Sequence, residues 1–184
     1  MKKTIAAPAL VLVAILFINP INAQSLSIAD IKAQMVKDWE RAKAYTNEYL
    51  NTMPADKYSL KPTDSIRSFA QQMLHLAAAN VFLMSNGSDE KTPSWLSFTL
   101  EQRKSAQEKD SVVYFVNSSY DYCIKAVNGS DPGKWGEPKK LFNRFDVTRY
   151  GAMIKAFEHQ THHRGQSTIY IRLAGVKPPE EKLF

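Results

Sequence analysis

His159-Gln-Thr-His162-His163-Arg164-Gly165-Gln166 carries three of the four histidines of this chain. His159 and His163 are four residues apart, which on an α-helix puts both imidazoles on one face, about one turn apart. Two neutral imidazoles in that register can bind one divalent ion. The fourth histidine, His75, lies far upstream in a segment that also reads as helix, so folding can bring it in as a third ligand. The competing reading is a polar helix surface, and His162 adds to it, because short histidine motifs also occur without a metal.

Outward from this stretch, the chain continues as Ser167-Thr-Ile-Tyr170-Ile-Arg-Leu-Ala-Gly175-Val-Lys-Pro178-Pro179, a helix end stopped by glycine and then by two prolines. The whole pattern resembles the DinB-like family of metalloenzymes, named for DNA-damage-inducible proteins. Upstream, Tyr58-Ser-Leu-Lys-Pro62-Thr and then Ser65-Ile-Arg-Ser-Phe-Ala-Gln-Gln-Met-Leu-His75-Leu-Ala are similar to that family's second helix, and Ser105 to Val127 to its third. The resemblance runs from about residue 27 to 179. It implies an all-α four-helix bundle with a metal site at His75, His159 and His163. His162 matches a histidine of the motif that is not usually a ligand. The implied cofactor is a divalent ion, with zinc, nickel, manganese and iron all open.

Hydrophobic periodicity leads to the same architecture. A first helix is expected from about Ser27 to Thr52, with Ser27 as cap and Ile28, Met35, Trp39, Ala42 and Tyr49 on one stripe. Pro54 and Pro62 bracket a loop. A second helix should open at Thr63 or Asp64 and end at Gly87. After a loop through Pro93 and Trp95 comes the third. Asn128 to Pro138 is an irregular connection, and the fourth helix begins near Thr148. No stretch alternates well enough to predict a strand. Long amphipathic helices joined by such loops make a four-helix bundle. On the fourth, Ala152, Ala156, His159, His163, Gln166, Tyr170 and Leu173 share a face by spacing. His75 has Ala78, Ala79 and Phe82 on its own side, small residues that leave room for an ion and a substrate or simply let helices pack closely.

The N-terminus reads as an export signal. Lys2 and Lys3 precede an apolar run, Ile5 to Ile18, and Ala23 offers a small residue at a cleavage point. The run is short for a bilayer-spanning helix of roughly 20 residues and contains Pro8. The expected product is a single domain, residues 24–184, periplasmic or extracellular, without stable membrane insertion. Losing Lys2 and Lys3 takes the formal charge from +6 to +4. The remaining excess is dispersed, with no arginine-rich arm or aromatic-basic alternation, so no nucleic-acid partner is expected. Cys123 is the only cysteine, which excludes an intrachain disulfide. Its register with Val112, Val116, Ser119 and Val127 marks it as a buried small residue rather than a nucleophile.

The expected ligand set limits the chemistry. Three neutral histidines leave the ion its full double charge and at least one open position. The zinc-protease pattern needs a glutamate after the first histidine, where this chain has Gln160. No carboxylate stands out as a ligand for an iron oxygenase, and Glu158 points elsewhere on the helix. Arg164 and Gln166 are candidates to orient a ligand or contact substrate. The expected function is a metal-dependent enzyme that activates water or a thiol on a small-molecule substrate, a hydrolase or a thiol transferase. Relatives in the broader superfamily include thiol-dependent transferases and isomerases. The alternative is a non-catalytic metal-binding or structural helical module. Self-association as a homodimer stays open.

Overall fold

The computed structural model describes residues 26–184, so the expected signal segment and its cleavage point lie outside the described residues. Four α-helices carry the fold: α1, Ile28–Thr52; α2, Phe69–Gly87; α3, Lys109–Gly129; and α4, Arg149–Leu173. Helices of this kind gain their stability by burying apolar faces against one another. Central α2, most of whose residues are buried, packs against both α3 and α4, while α1 covers α3 and α4 from the other side. Among the described residues, no helix is long and apolar enough to cross a membrane.

Helix starts follow the capping chemistry. Ser27 closes a reciprocal cap with Asp30: its hydroxyl accepts the Asp30 N–H, and the Asp30 carboxylate accepts the Ser27 N–H. Ile28, expected on the buried stripe, is 55% exposed. α2 opens at Phe69, five residues later than Asp64 would have it. There Ser68 and Gln71 form the capping box, while the Phe69 and Ala70 N–H groups donate to the Leu60 and Tyr58 carbonyls. Four N–H groups at a helix start need acceptors, and only at Ser68 do cap and loop supply them together. α3 starts at Lys109 rather than Ser105, since Lys104–Ala106 forms a separate 3-10 turn. α4 begins where expected, with Thr148 as its cap accepting the Gly151 N–H.

One expectation fails outright. Pro138–Leu141 and Phe145–Thr148 form strands β1 and β2, paired antiparallel with Leu141 opposite Phe145. The turn between them holds Phe142 at φ 53° and Asn143 at φ 54°, and the Arg144 N–H donates to the Leu141 carbonyl. Two central residues with positive φ match the twist of a hairpin. The sequence hides it because the strands are four residues each, nearly all exposed, and no glycine marks the turn. Buried Arg149 ties the hairpin base to α2, donating to Asp89 at 2.6 Å, Glu137 at 3.2 Å and the Gly87 carbonyl at 3.3 Å.

α2 and α4 run antiparallel and very close. A Cβ on Gly87 would lie 2.6 Å from the Arg149 carbonyl oxygen and would also collide with Met153. On the far side of α4, Trp39 packs edge-on against Tyr120 and Phe157. Beneath it runs a buried polar string: Thr46 meets the Tyr120 hydroxyl, which donates to Gln160, whose oxygen also accepts from Arg164. Buried polar groups are tolerated when they satisfy one another in this way. Cys123 is fully buried with Val112, Val116, Ser119 and Val127, as its register predicts.

Candidate metal centre

Antiparallel pairing of α2 with α4 brings His75 opposite His159 and His163. Each of the three offers one ring nitrogen, and these three atoms all lie within 4.8 Å of one another. Ring centroids are 4.3 Å apart for His159 and His163, 4.7 Å for His75 and His163, and 5.3 Å for His75 and His159. The Nε2 atoms of His159 and His163 face each other at 3.0 Å. Two imidazoles sharing a tetrahedral zinc at 2.0–2.1 Å each would have their nitrogens about 3.3 Å apart, so this donor set fits an ion with small adjustments.

The rest of each imidazole is held from outside. His75 Nδ1 lies 3.0 Å from the Glu101 carboxylate, and Arg67 Nε donates to both oxygens of Glu101 at 2.9 and 3.0 Å. His163 Nδ1 meets the Gln72 side-chain nitrogen at 2.8 Å; Gln72 also pairs with Gln166, and Gln166 with His162 at 3.0 Å. Anchors on Nδ1 fix ring orientation and leave Nε2 for a ligand. His159 Nδ1 is buried without a hydrogen-bond partner.

Burial also keeps the rings neutral. Desolvation, followed by the neighbouring imidazoles, pushes His159 down to about 4 and His163 to about 3. His75 is also lowered, by desolvation and then Arg67, against the pull of Glu101. Neutral imidazole is the form that coordinates metal, and three close imidazolium ions would repel one another.

The model of the DinB family matches residues 23–183. The chain belongs to the DinB family. Two solved structures share its fold. One, a DinB-like protein from Bacillus cereus, is 14% identical, covers 82% of this chain and 97% of its own, and has a TM-score of 0.64. A DinB-like protein from Bacillus subtilis is 18% identical, covers 80% and 96%, and has a TM-score of 0.57. No curated protein matches the chain.

In this DinB family member the three histidines come together, and Gln166 joins them through Gln72. Arg164 turns away: its guanidinium lies 4.7 Å over the Tyr45 ring and donates to Gln160, with no contact to the three imidazoles. Gln160 is fully buried in that same string. Leu173, expected on the histidine face, is 56% exposed, because α4 there runs past the start of α2, where Tyr170 already reaches the Arg67 carbonyl. Glu158 pairs with Lys155.

Sequence reading missed three residues, Gln72, Glu101 and Arg67. Gln72 had a signal, one turn before His75 on the same helix. Glu101 had none, since it sits on the 3-10 turn Leu100–Gln102 that buried Leu100 pins against the core.

Cavities flank the centre on two sides. One, about 740 Å³, is walled by His75, His159 and the apolar side of α2 and the hairpin; the other, about 820 Å³, is bordered by Arg67, Gln72, His163 and Gln166. Glu101 and His162 border both.

Proposed function

We propose that this DinB family protein is an exported metal-dependent enzyme. One divalent ion, held by His75, His159 and His163, would supply a Lewis acid and an acidified water or thiol. The observation that carries this reading is three imidazoles converging from two helices beside two open cavities. Closed structural sites take four protein ligands, whereas catalytic ones keep three and an exchangeable position. Three histidines meet only the second description. Glu101, already engaged by Arg67 and His75, orients the His75 ring and raises its basicity as a ligand. Gln72 touches the Nδ1 of His163 and would orient that ring as a ligand once its amide presents oxygen rather than nitrogen. The cavity on the Arg67 side would let water or a thiol approach, while the apolar one would receive the other reactant.

Cobalt substitution tests the open position. The visible spectrum of the cobalt protein should shift on raising pH, as a bound water would lose a proton with a pKa of about 7 in the zinc precedent. Azide or a simple thiol should also shift it without releasing the metal. A spectrum indifferent to all three would mean a closed site and would end the enzyme reading.

Export rests on the Lys2-Lys3 start, the apolar run and Ala23. Mass spectrometry of the protein from its own cells should find Gln24 as the first residue; an intact Met1 or Lys2 terminus would overturn it.

A further inference from the structure

The cavity of about 740 Å³ on the His75 and His159 side is built unlike the rest of the surface. Phe82 of α2 lies at its centre, with Phe98 at 5.0 Å on one flank and Phe142 at 5.2 Å on the other, ring centre to ring centre. Leu74, Ala78 and Leu83 continue the wall. Phe98 is 68% exposed, Phe142 62% and Phe145 52%. Large apolar side chains gathered in the open around a cavity cost solvation unless something covers them, and such clusters mark binding sites.

Phe142 adds a second, independent observation. It holds φ 53° at the hairpin tip, a left-handed conformation that is rare for a bulky non-glycine residue. Asparagine or glycine would fit that turn position with less strain. Conformational strain of this kind concentrates at ligand sites, and here it sets an aromatic ring over Phe82.

The charges at the wall are paired with opposite charges. Lys155 pairs with Glu158 at 2.5 Å, and Asp146 pairs with Lys140 at 3.4 Å. Of the remaining polar lining, the Ser97 hydroxyl pairs with Thr99 and Glu101 is held by Arg67 and His75, which leaves the imidazoles at the centre itself to address a ligand. From this arrangement we infer that the substrate is a small molecule with an uncharged apolar body, acyl or aryl, seated on Phe82, Phe98 and Phe142. Its single polar, metal-ligating end reaches the histidines. The inference rests on the metal reading above for that end only; the apolar body is argued from the cavity alone.

A series of linear acyl hydroxamates, from acetohydroxamate to octanoylhydroxamate, separates the two parts. Calorimetry on the cobalt-loaded protein should show affinity rising about fourfold per added methylene until the cavity is full. Phe98→Ser and Phe142→Asn, both at exposed positions that folding tolerates, should each weaken octanoylhydroxamate about tenfold and leave acetohydroxamate unchanged. Octanol should bind the chelator-treated protein with the same dependence on the two phenylalanines. If acetohydroxamate binds but lengthening the chain adds nothing, the apolar substrate is overturned while the metal stands. If acetohydroxamate fails and octanol still binds through Phe98 and Phe142, the apolar pocket is supported and the metal reading falls.

Discussion

His163 faces two demands that must agree. Its Nε2 looks at His159 and its Nδ1 at the Gln72 amide. To bind a metal through Nε2, the ring must carry its proton on Nδ1, so Gln72 must present oxygen rather than nitrogen to it. Turning that amide end for end requires Gln166 to turn as well, which hands the Gln166 oxygen to His162. Metal binding and the Gln72–Gln166–His162 string are thereby linked. Gln72→Leu, which removes the acceptor, should lower metal affinity about 10–100-fold, as should Glu101→Ala on the His75 side; competition with a chromogenic chelator measures both. Elemental analysis should find one ion per chain, lost in His75→Ala, His159→Ala and His163→Ala and kept in His162→Ala. Full metal in His75→Ala would remove that residue from the site.

The same imidazoles set a pH dependence for the metal-free protein. Held near 4 and 3 when folded, against 6.5 when unfolded, His159 and His163 bind fewer protons in the folded state between those values. Stability is therefore full above about pH 6.5 and falls as pH drops towards 3. Urea midpoints measured from pH 7.5 downward should fall, and fall less in His163→Ala. A fall with pH as large in that variant as in the parent would mean His163 is not held neutral by burial.

At the scale of elements, the pairing of α2 with α4 positions everything else. At Gly87 the two helices approach so closely that no side chain fits. Gly87→Ala should cost about 1–3 kcal/mol by overpacking, which thermal unfolding reads directly. An alanine variant as stable as the parent would show that the helices do not approach this closely. At the other end, Ser68→Ala removes the α2 cap and should cost about 1 kcal/mol, or about 2–4 °C in Tm for a chain of this size. The corresponding Thr63→Ala change should be silent, because the helix does not begin there. The hairpin has the opposite character. It contributes little burial beyond Leu141, and its role is to complete the apolar cavity wall.

For the whole molecule, a bound ion would join helices distant in the chain. His75 on α2 and His159 and His163 on α4 are separated in sequence by all of α3 and the hairpin. A ligand that binds only the folded state stabilises it by about 2.7 kcal/mol at a hundred times its dissociation constant. Metal loading should thus raise Tm by about 5–10 °C, and a chelator should reverse the rise. An unchanged Tm in the presence of excess zinc, nickel, manganese and iron would argue against any ion at this centre.

The sequence alone determined the four helices, the Ser27 cap of α1, the burial of Cys123 and the histidine register of α4. These are local matters: periodicity, capping and i, i+4 geometry act within a few residues. His75 was legible as a candidate because it is the one other histidine, in a helix whose family pattern is recognisable. What the sequence did not contain is the partner of each histidine. Glu101 reaches His75 from a loop, Gln72 reaches His163 across two helices, and Arg164 turns to Tyr45 although it follows His163 directly. The start of α2 slipped for the same reason, since the Tyr58 and Leu60 carbonyls choose Ser68 over Thr63. The hairpin was invisible because its pairing is held by Arg149 and by the turn at Phe142 rather than by alternation. Contacts between segments far apart in the chain depend on how helices pack, and packing is decided by the whole core at once.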